Sequence, residues 1–190
     1  MEECSSCAEE SLGIRPSIDI YHTCGKKEYD EVHGVFGRVI YSPNSEYFVI
    51  RKMATAKKYG KVLLVETDSR KVKFLKEMER PEFISISNIG NVAVCNLRGI
   101  DDDLPSEVIV FNREGKACIK RKSFENPNES ALNQDGSLAA FAFVGGCEYI
   151  EGHSIVIFDV VNDRSIQITP LENSVYKMHF DGNNNLKVLQ

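Results

Sequence analysis

Apolar and polar residues alternate along most of this chain of 190 residues beyond residue 15. A period of two is the pattern of a β-strand with one buried face, and the alternating runs are rich in the Val, Ile, Leu, Phe and Tyr that favour strands. No run repeats every three to four residues over the length of an amphipathic helix. The alternation therefore predicts an all-β protein.

The predicted strands come in pairs, and each pair is joined by a tight turn rich in Gly, Asn or Asp, which tolerate the positive φ of hairpin turns. One kind, the first pair, occupies residues 39–51, 83–96, 131–143 and 175–189. The other kind, the second pair, occupies residues 18–32, 61–76, 107–122 and 154–169. The second pairs begin about 43 to 47 residues apart, which is the period of a four-stranded propeller blade. The repeat predicts a β-propeller of four-stranded antiparallel blades.

The two ends of the chain each carry an unmatched pair. The chain opens with a second pair at 18–32, which turns at Cys24-Gly25, and closes with a first pair at 175–189. Because closure removes open sheet edges, we expect these pairs to complete one last blade, giving a small closed propeller of about four blades. The alternative is an open half-propeller that is completed by oligomerisation. We expect residues 1–15 to form a flexible acidic N-terminal arm and residues 16–190 to form one domain.

The composition of the chain limits the partners and the cellular compartment that we expect for the protein. The net charge of −5 gives no general attraction to nucleic acid or to an anionic membrane. No apolar stretch reaches the roughly 20 residues that span a bilayer. The acidic start lacks the apolar centre of a secretion signal, so we expect a cytoplasmic protein. The six cysteines are then reduced, and Cys95 and Cys118 are expected to serve as small apolar residues within strands.

The third strand of each repeat ends in a large apolar residue followed by a polar one, as in Tyr21-His22, Val65-Glu66, Phe111-Asn112 and Phe158-Asp159. This ending, together with first pairs such as YSPNSEYFVI at 41–50, resembles the repeats of WD40 and YVTN-type propellers over residues 16–190. The form is divergent, because the chain contains no Trp. The resemblance implies a rigid ring that serves as a docking platform for protein partners.

The longest predicted loops, 52–60, 97–106 and 144–153, connect the two pairs of a repeat and would lie on one rim. Opposite charges on neighbouring loops suit a docking surface, so we expect a non-enzymatic protein-interaction scaffold; the alternative is that these charges only keep the surface soluble. The residues expected on this face are Lys57, Lys58, Tyr59, Asp101, Asp102, Asp103, Glu148 and Tyr149.

Three other interpretations stay open. Cys4, Cys7, His22 and Cys24 are residue types that bind zinc, although their spacing is unusual, and no other cofactor is expected. A small-molecule or hydrolytic site could lie around His179 in the central channel, but the chain has no phosphate-binding loop or known catalytic motif. A basic rim could bind nucleic acid through residues near the second-pair turns, namely Lys26, Lys27, Arg70, Lys71, Arg113, Lys116 and Arg164.

Overall fold

The computed structural model describes residues 28–55, 58–97, 105–144, 154–168 and 174–189. All the secondary-structure elements within these ranges are β-strands, which confirms the all-β prediction. The strands are β1 (Tyr29–Val32), β2 (Val35–Tyr41), β3 (Tyr47–Lys52), β4 (Gly60–Glu66), β5 (Val72–Met78), β6 (Pro81–Ile86), β7 (Val92–Asn96), β8 (Ser106–Phe111), β9 (Ala117–Ser123), β10 (Asn126–Leu132), β11 (Leu138–Val144), β12 (Ser154–Asp159), β13 (Arg164–Ile168), β14 (Lys177–Phe180) and β15 (Leu186–Leu189).

The strands form four antiparallel sheets in which neighbours follow chain order. The first sheet contains β1 to β5, the second β6 to β9, the third β10 to β13 and the last β14 and β15. The innermost strands connect the sheets, because β6 contacts β2 and β3, β10 contacts β6 and β7, and β14 contacts β10. Each of the first three sheets therefore contains one four-stranded blade made of a first pair and a second pair, as the repeat predicts, and the first sheet carries β1 in addition.

Apolar cores fill the spaces between successive sheets. Val49, Leu64 and Phe74 of the first sheet cluster with Val94 and Phe111 of the second. The rings of Phe74 and Phe111 lie 5.7 Å apart between centroids. A similar cluster joins the second sheet to the third, and a smaller one joins the third sheet to the last. The alternation in the sequence thus becomes a stack of sheets with apolar layers between them.

The polar residue that ends the third strand has a defined role in the second and third sheets. Asn112 Oδ1 accepts hydrogen bonds from the backbone N–H groups of Glu114 and Lys116, at 3.1 and 2.8 Å. Asp159 Oδ1 accepts from the N–H groups of Val161 and Asn162 in the same way, at 3.1 and 3.0 Å. The apolar–polar ending of the third strand therefore combines a core residue with the residue that fixes the following turn.

The structure corrects the place expected for residues 29–32, which were predicted to belong to the last blade. Tyr29–Val32 pairs with β2, so that Val32 lies opposite Val35 in the first sheet. The two residues of the turn, His33 and Gly34, both have positive φ, at 50° and 73°, which favours a tight two-residue hairpin. This strand therefore becomes a fifth strand of the first sheet and does not pair with 175–189. Residues 18–27 and the predicted arm at 1–15 lie outside the described residues.

Candidate protein-interaction face

One rim of the stack carries the ends of the second strands, the starts of the third strands and the links between blades. We call it the loop face, and it is the rim predicted for partner binding. Two of the predicted residues, Lys58 and Tyr59, are described there, in the connection between β3 and β4. The others lie outside the described residues: Lys57, Asp101, Asp102, Asp103, Glu148 and Tyr149.

Two backbone hydrogen bonds join Thr55 and Lys58 in the connection between β3 and β4. Thr55 N–H donates to the carbonyl of Lys58 at 2.9 Å, and Lys58 N–H donates back to the carbonyl of Thr55 at 3.1 Å. Met53 and Tyr59 flank this pair, and their side chains are 51% and 63% exposed. A large apolar side chain held out in solvent beside such a hydrogen-bonded pair is a typical anchor for a protein partner.

Further exposed aromatic side chains share this rim. Phe124, which is 63% exposed, lies in the link between the second and third blades, and Tyr176, which is 70% exposed, lies just before β14. Phe36 is near the start of β2, and because Arg38 lies opposite Arg51, continuing the register places Phe36 beside the Met53 position. These aromatic residues were not predicted: Phe36 and Phe124 lie between the predicted strand pairs and outside the three loops considered, whereas Tyr176 lies in the predicted pair 175–189, where apolar residues were expected to be buried.

A buried ion pair joins the first and second blades below the loop face. The guanidinium of Arg51 donates a hydrogen bond to the carboxylate of Glu82, and both side chains are mostly buried. Arg80 Nε lies 3.8 Å from the other carboxylate oxygen of Glu82. Arg51 Nε is buried without a hydrogen-bond partner among the described residues. The pair fixes β3 against the start of β6, so the connections above it extend from a rigid base.

Similar hydrogen bonds join the later blades at the same level. Ser130 Oγ donates to the carbonyl of Phe83 at 2.6 Å, and Asn128 Nδ2 donates to the carbonyl of Val175 at 2.9 Å. Phe83 has a φ of 37° and lies at a bulge in β6, which turns its carbonyl out of the ladder. Burial raises the pKa of the neighbouring Glu129 carboxyl.

The opposite rim, which we call the turn face, is held together by hydrogen bonds between the turns of successive first pairs. Asn44 N–H donates to Asn88 Oδ1 at 2.9 Å, and Asn88 N–H donates to the carbonyl of Gln134 at 2.8 Å. Asn133 Nδ2 donates to Asn184 Oδ1 at 3.1 Å, which continues the series to the last sheet. Sequence reasoning identified these turns but missed their mutual contacts; the repeated Asn was the available signal.

The residues of the predicted basic rim are only partly described, and several have acidic neighbours. Arg70 pairs with Asp30 at 2.6 Å and lies over the ring of Phe48. Arg113 pairs with Glu114 at 2.8 Å. Lys71, Lys116 and Arg164 are also described, whereas Lys26 and Lys27 lie outside the described residues. The paired arginines are less available to phosphate groups than the sequence suggested.

The other candidate residues are not brought together by the described part of the structure. His179 is exposed on β14 of the last sheet. The predicted zinc ligands Cys4, Cys7, His22 and Cys24 all lie outside the described residues. Within the described ranges, no group of three or more His, Cys, Asp or Glu side chains could hold a metal ion.

The two described cysteines differ in environment. Cys95 is fully buried between the second and third blades, as expected, and burial raises the pKa of its thiol well above the usual value. Cys118 lies within a strand, as expected, but it is exposed there, because β9 is an outer strand with one face in solvent. No helix in the described ranges is long and apolar enough to cross a membrane.

Comparison with known proteins identifies the fold alone. No known protein family matches the sequence, and no curated protein does. Among solved structures, the Dos1 propeller matches 86% of this chain and 41% of its own, with a TM-score of 0.58 and 16% identity. Sqt1 of Saccharomyces cerevisiae matches 84% of this chain and 49% of its own, with a TM-score of 0.55 and 16% identity. Hydrazine synthase of Kuenenia stuttgartiensis matches 79% of this chain and 48% of its own, with a TM-score of 0.54 and 15% identity.

These matches and the stacked four-stranded sheets define the chain as having a β-propeller fold. The chain spans less than half the length of each of these three structures. Because one of the matching proteins is named as an enzyme, the fold by itself does not decide between catalysis and binding. Function must therefore be argued from the surface of this chain.

Proposed function

We propose that the protein is a non-enzymatic scaffold that binds a protein partner on its loop face. The observation that carries the proposal is the set of exposed aromatic and apolar side chains on that one rim. They are Phe36, Met53, Tyr59, Phe124 and Tyr176, each between 51% and 70% exposed. Exposed apolar groups of this size cost free energy in water, and aromatic residues and Met are enriched where proteins meet.

The rigid base of the loop face supports the same proposal. The Arg51–Glu82 pair and the hydrogen bonds between the turns hold successive blades together beneath and opposite the exposed residues. A partner that binds such a surface does not have to order the blades first, so less of the binding free energy is lost. Lys58, which is exposed beside Tyr59, adds a cation that favours an acidic group on the partner.

We also propose that the blades are of the WD40 type and that the protein acts in the cytoplasm. The WD40 proposal is supported by the Phe158-Asp159 ending of β12, where Asp159 fixes the turn that follows. The cytoplasmic proposal is supported by Cys95 and Cys118, whose free thiols are typical of a reducing compartment.

The test compares partner recovery by variants of the full chain. Tyr59→Ala combined with Phe124→Ala removes two exposed aromatic groups from the loop face, and proteins recovered with wild type are quantified by mass spectrometry. Ile166→Ala is the matched control, because Ile166 is also 63% exposed but lies on the outer strand β13. We expect the double variant to lose at least one partner about tenfold or more, since an anchor residue contributes about 2 kcal/mol or more.

The control should retain the same partner, and all variants should unfold at the wild-type midpoint. Lys58→Glu should weaken recovery by a smaller factor, because a charge at the rim of an interface contributes less than a buried anchor. If every partner of the wild-type protein is recovered equally by the double variant, the loop face is not the binding surface.

A further inference from the structure

The first sheet has a second apolar face, directed away from the second sheet. We call it the distal face. Its side chains are at most 8% exposed, and four of them are at most 1% exposed. Its buried residues are Val32, Val35, Val39, Phe48, Ile50, Leu63 and Val65.

No other described sheet contributes to this face. All the residues that cluster there, including the partly buried Tyr41 and Val72, belong to the first sheet or its turns. The opposite faces of the same strands, with Val49 and Leu64, supply the core shared with the second sheet. On the distal face, the guanidinium of Arg70 lies 5.2 Å from the centroid of the Phe48 ring and makes a cation–π contact with it. One guanidinium cannot exclude water from side chains spread over four strands, so another part of the chain must cover them.

The point at which the described part of the chain begins indicates which segment covers the distal face. Val39, a residue of the distal face, donates its backbone N–H to the carbonyl of Glu28 at 2.7 Å. The preceding segment, residues 1–27, is therefore joined covalently to the described part of the chain at the edge of this face. The other positions outside the described residues are 56–57, 98–104, 145–153, 169–173 and 190. The first is only two residues long, and the rest leave the second, third or last sheet.

The segment of residues 1–27 carries apolar residues at the spacing of a strand. Ile18 and Ile20 alternate with Asp19 and Tyr21, so an extended segment places both isoleucines on one side. We propose that Ile18 and Ile20 dock on the distal face of the first sheet of the same chain. The docked segment would cap one end of the stack of blades, so that a further blade could not pack there. This proposal does not depend on the loop face or on its partner.

The test is methyl NMR of the full chain with ¹³C-labelled Ile, Leu and Val side chains. We expect nuclear Overhauser effects that connect the δ1 methyls of Ile18 and Ile20 to the methyls of Ile50 and Leu63, because docked side chains lie within about 4–5 Å of one another. A second sample mixes labelled and unlabelled chains, and an isotope-filtered spectrum of it detects only contacts between two molecules. The same contacts should be missing from that spectrum.

Two results from these two samples would overturn the proposal. Absence of these contacts in the fully labelled sample would show that another part of the chain covers the face. Their presence in the filtered spectrum would show that the segment docks on a second copy. A variant pair adds an independent measurement: Ile18→Ser with Ile20→Ser should shift the methyl signals of Ile50 and Leu63, whereas Ile14→Ser should not. Equal shifts in the two variants would also contradict the assignment.

Discussion

Replacement of Phe141 by alanine tests the apolar layer between the second and third blades. Phe141 has no exposed surface and belongs to the cluster that contains Ala93 and Val110 of the second sheet. Its ring meets that of Phe158 edge-on, with centroids 5.9 Å apart and an angle of 73° between the planes. The substitution therefore removes an aromatic side chain from a closed space and also removes an aromatic pair.

The size of the effect follows from these contacts. Truncation of a buried Phe to Ala costs about 3–5 kcal/mol, because the cavity left behind collapses only in part. The edge-on geometry of the Phe158 contact, which contributes about 0.5–1.5 kcal/mol beyond burial, favours the upper part of that range. In a chain of this length each 1 kcal/mol lowers Tm by about 2–4 °C, so Tm should fall by about 6 to 20 °C.

The assay is urea unfolding followed by circular dichroism, with calorimetry as the second measurement. Phe124→Ala is the control, because it makes the same chemical change at a side chain that is 63% exposed. We expect it to alter the free energy of unfolding by no more than about 0.5 kcal/mol. A loss below about 1 kcal/mol for Phe141→Ala, with an unchanged urea dependence, would refute the packing of the second and third blades described above.

Two further predictions concern the turn face. Gly136 has a φ of 72°, a left-handed conformation that costs a residue with a Cβ about 1–2 kcal/mol, and the new Cβ would also lie 2.6 Å from the side-chain Nδ2 of Asn91. Gly136→Ala should therefore lower the free energy of unfolding by at least about 1–2 kcal/mol. Gly182→Ala, where no atom lies within 4 Å of the new Cβ, should leave stability unchanged or slightly raised in the same urea experiment, and equal losses in both variants would contradict the turn geometry. Hydrogen bonds from the N–H groups of Asn185 and Asn183 lower the pKa of Asp181 from 3.8 to about 2. The ionised carboxylate therefore stabilises the folded state in full above pH 3.8. This stabilisation is lost as the pH falls through about 2. The stability difference between wild type and Asp181→Asn should therefore shrink over that interval in acid titrations, and a constant difference would contradict the assigned hydrogen bonds.

Most of the blade architecture could be predicted because its signals are local. Alternation fixes which residues face the core, and turns such as Gln134-Asp135-Gly136 require the positive φ that glycine supplies. The pairing of Tyr29–Val32 could not be settled in this way. Residues 18–35 contain two candidate turns, Cys24-Gly25 and His33-Gly34, and local preference does not rank them. The structure shows that the second turn is used, and the register of β1 follows from it.

The residues of the loop face were predicted only in part, and the reason differs from the one that applies to β1. Tyr59 was identified because it lies in a long loop, whereas Phe36 was missed because it lies between the predicted pairs 18–32 and 39–51, where neither a strand nor a loop of the candidate face was predicted. In β2, however, Val35, Gly37 and Val39 form the buried side, and Phe36 shares the other side with Arg38. A large apolar residue on the side that also carries a charged residue was the signal of an exposed position. Phe124 gives a similar signal, since it lies in the link before Pro127 and outside any alternating run.

The two rims differ in where the contacts between blades lie. Substitutions on the two rims should therefore affect stability and the proposed partner binding differently. The turn face is joined by direct contacts between turns, such as that from Asn44 to Asn88, so a change in one turn disturbs the next blade. At the loop face the blades are joined one level below the surface, by the Arg51–Glu82 pair. Exposed residues above that level, such as Tyr59, are not part of these joints. Substitutions on the loop face should therefore change binding without changing unfolding, whereas substitutions on the turn face should change unfolding first.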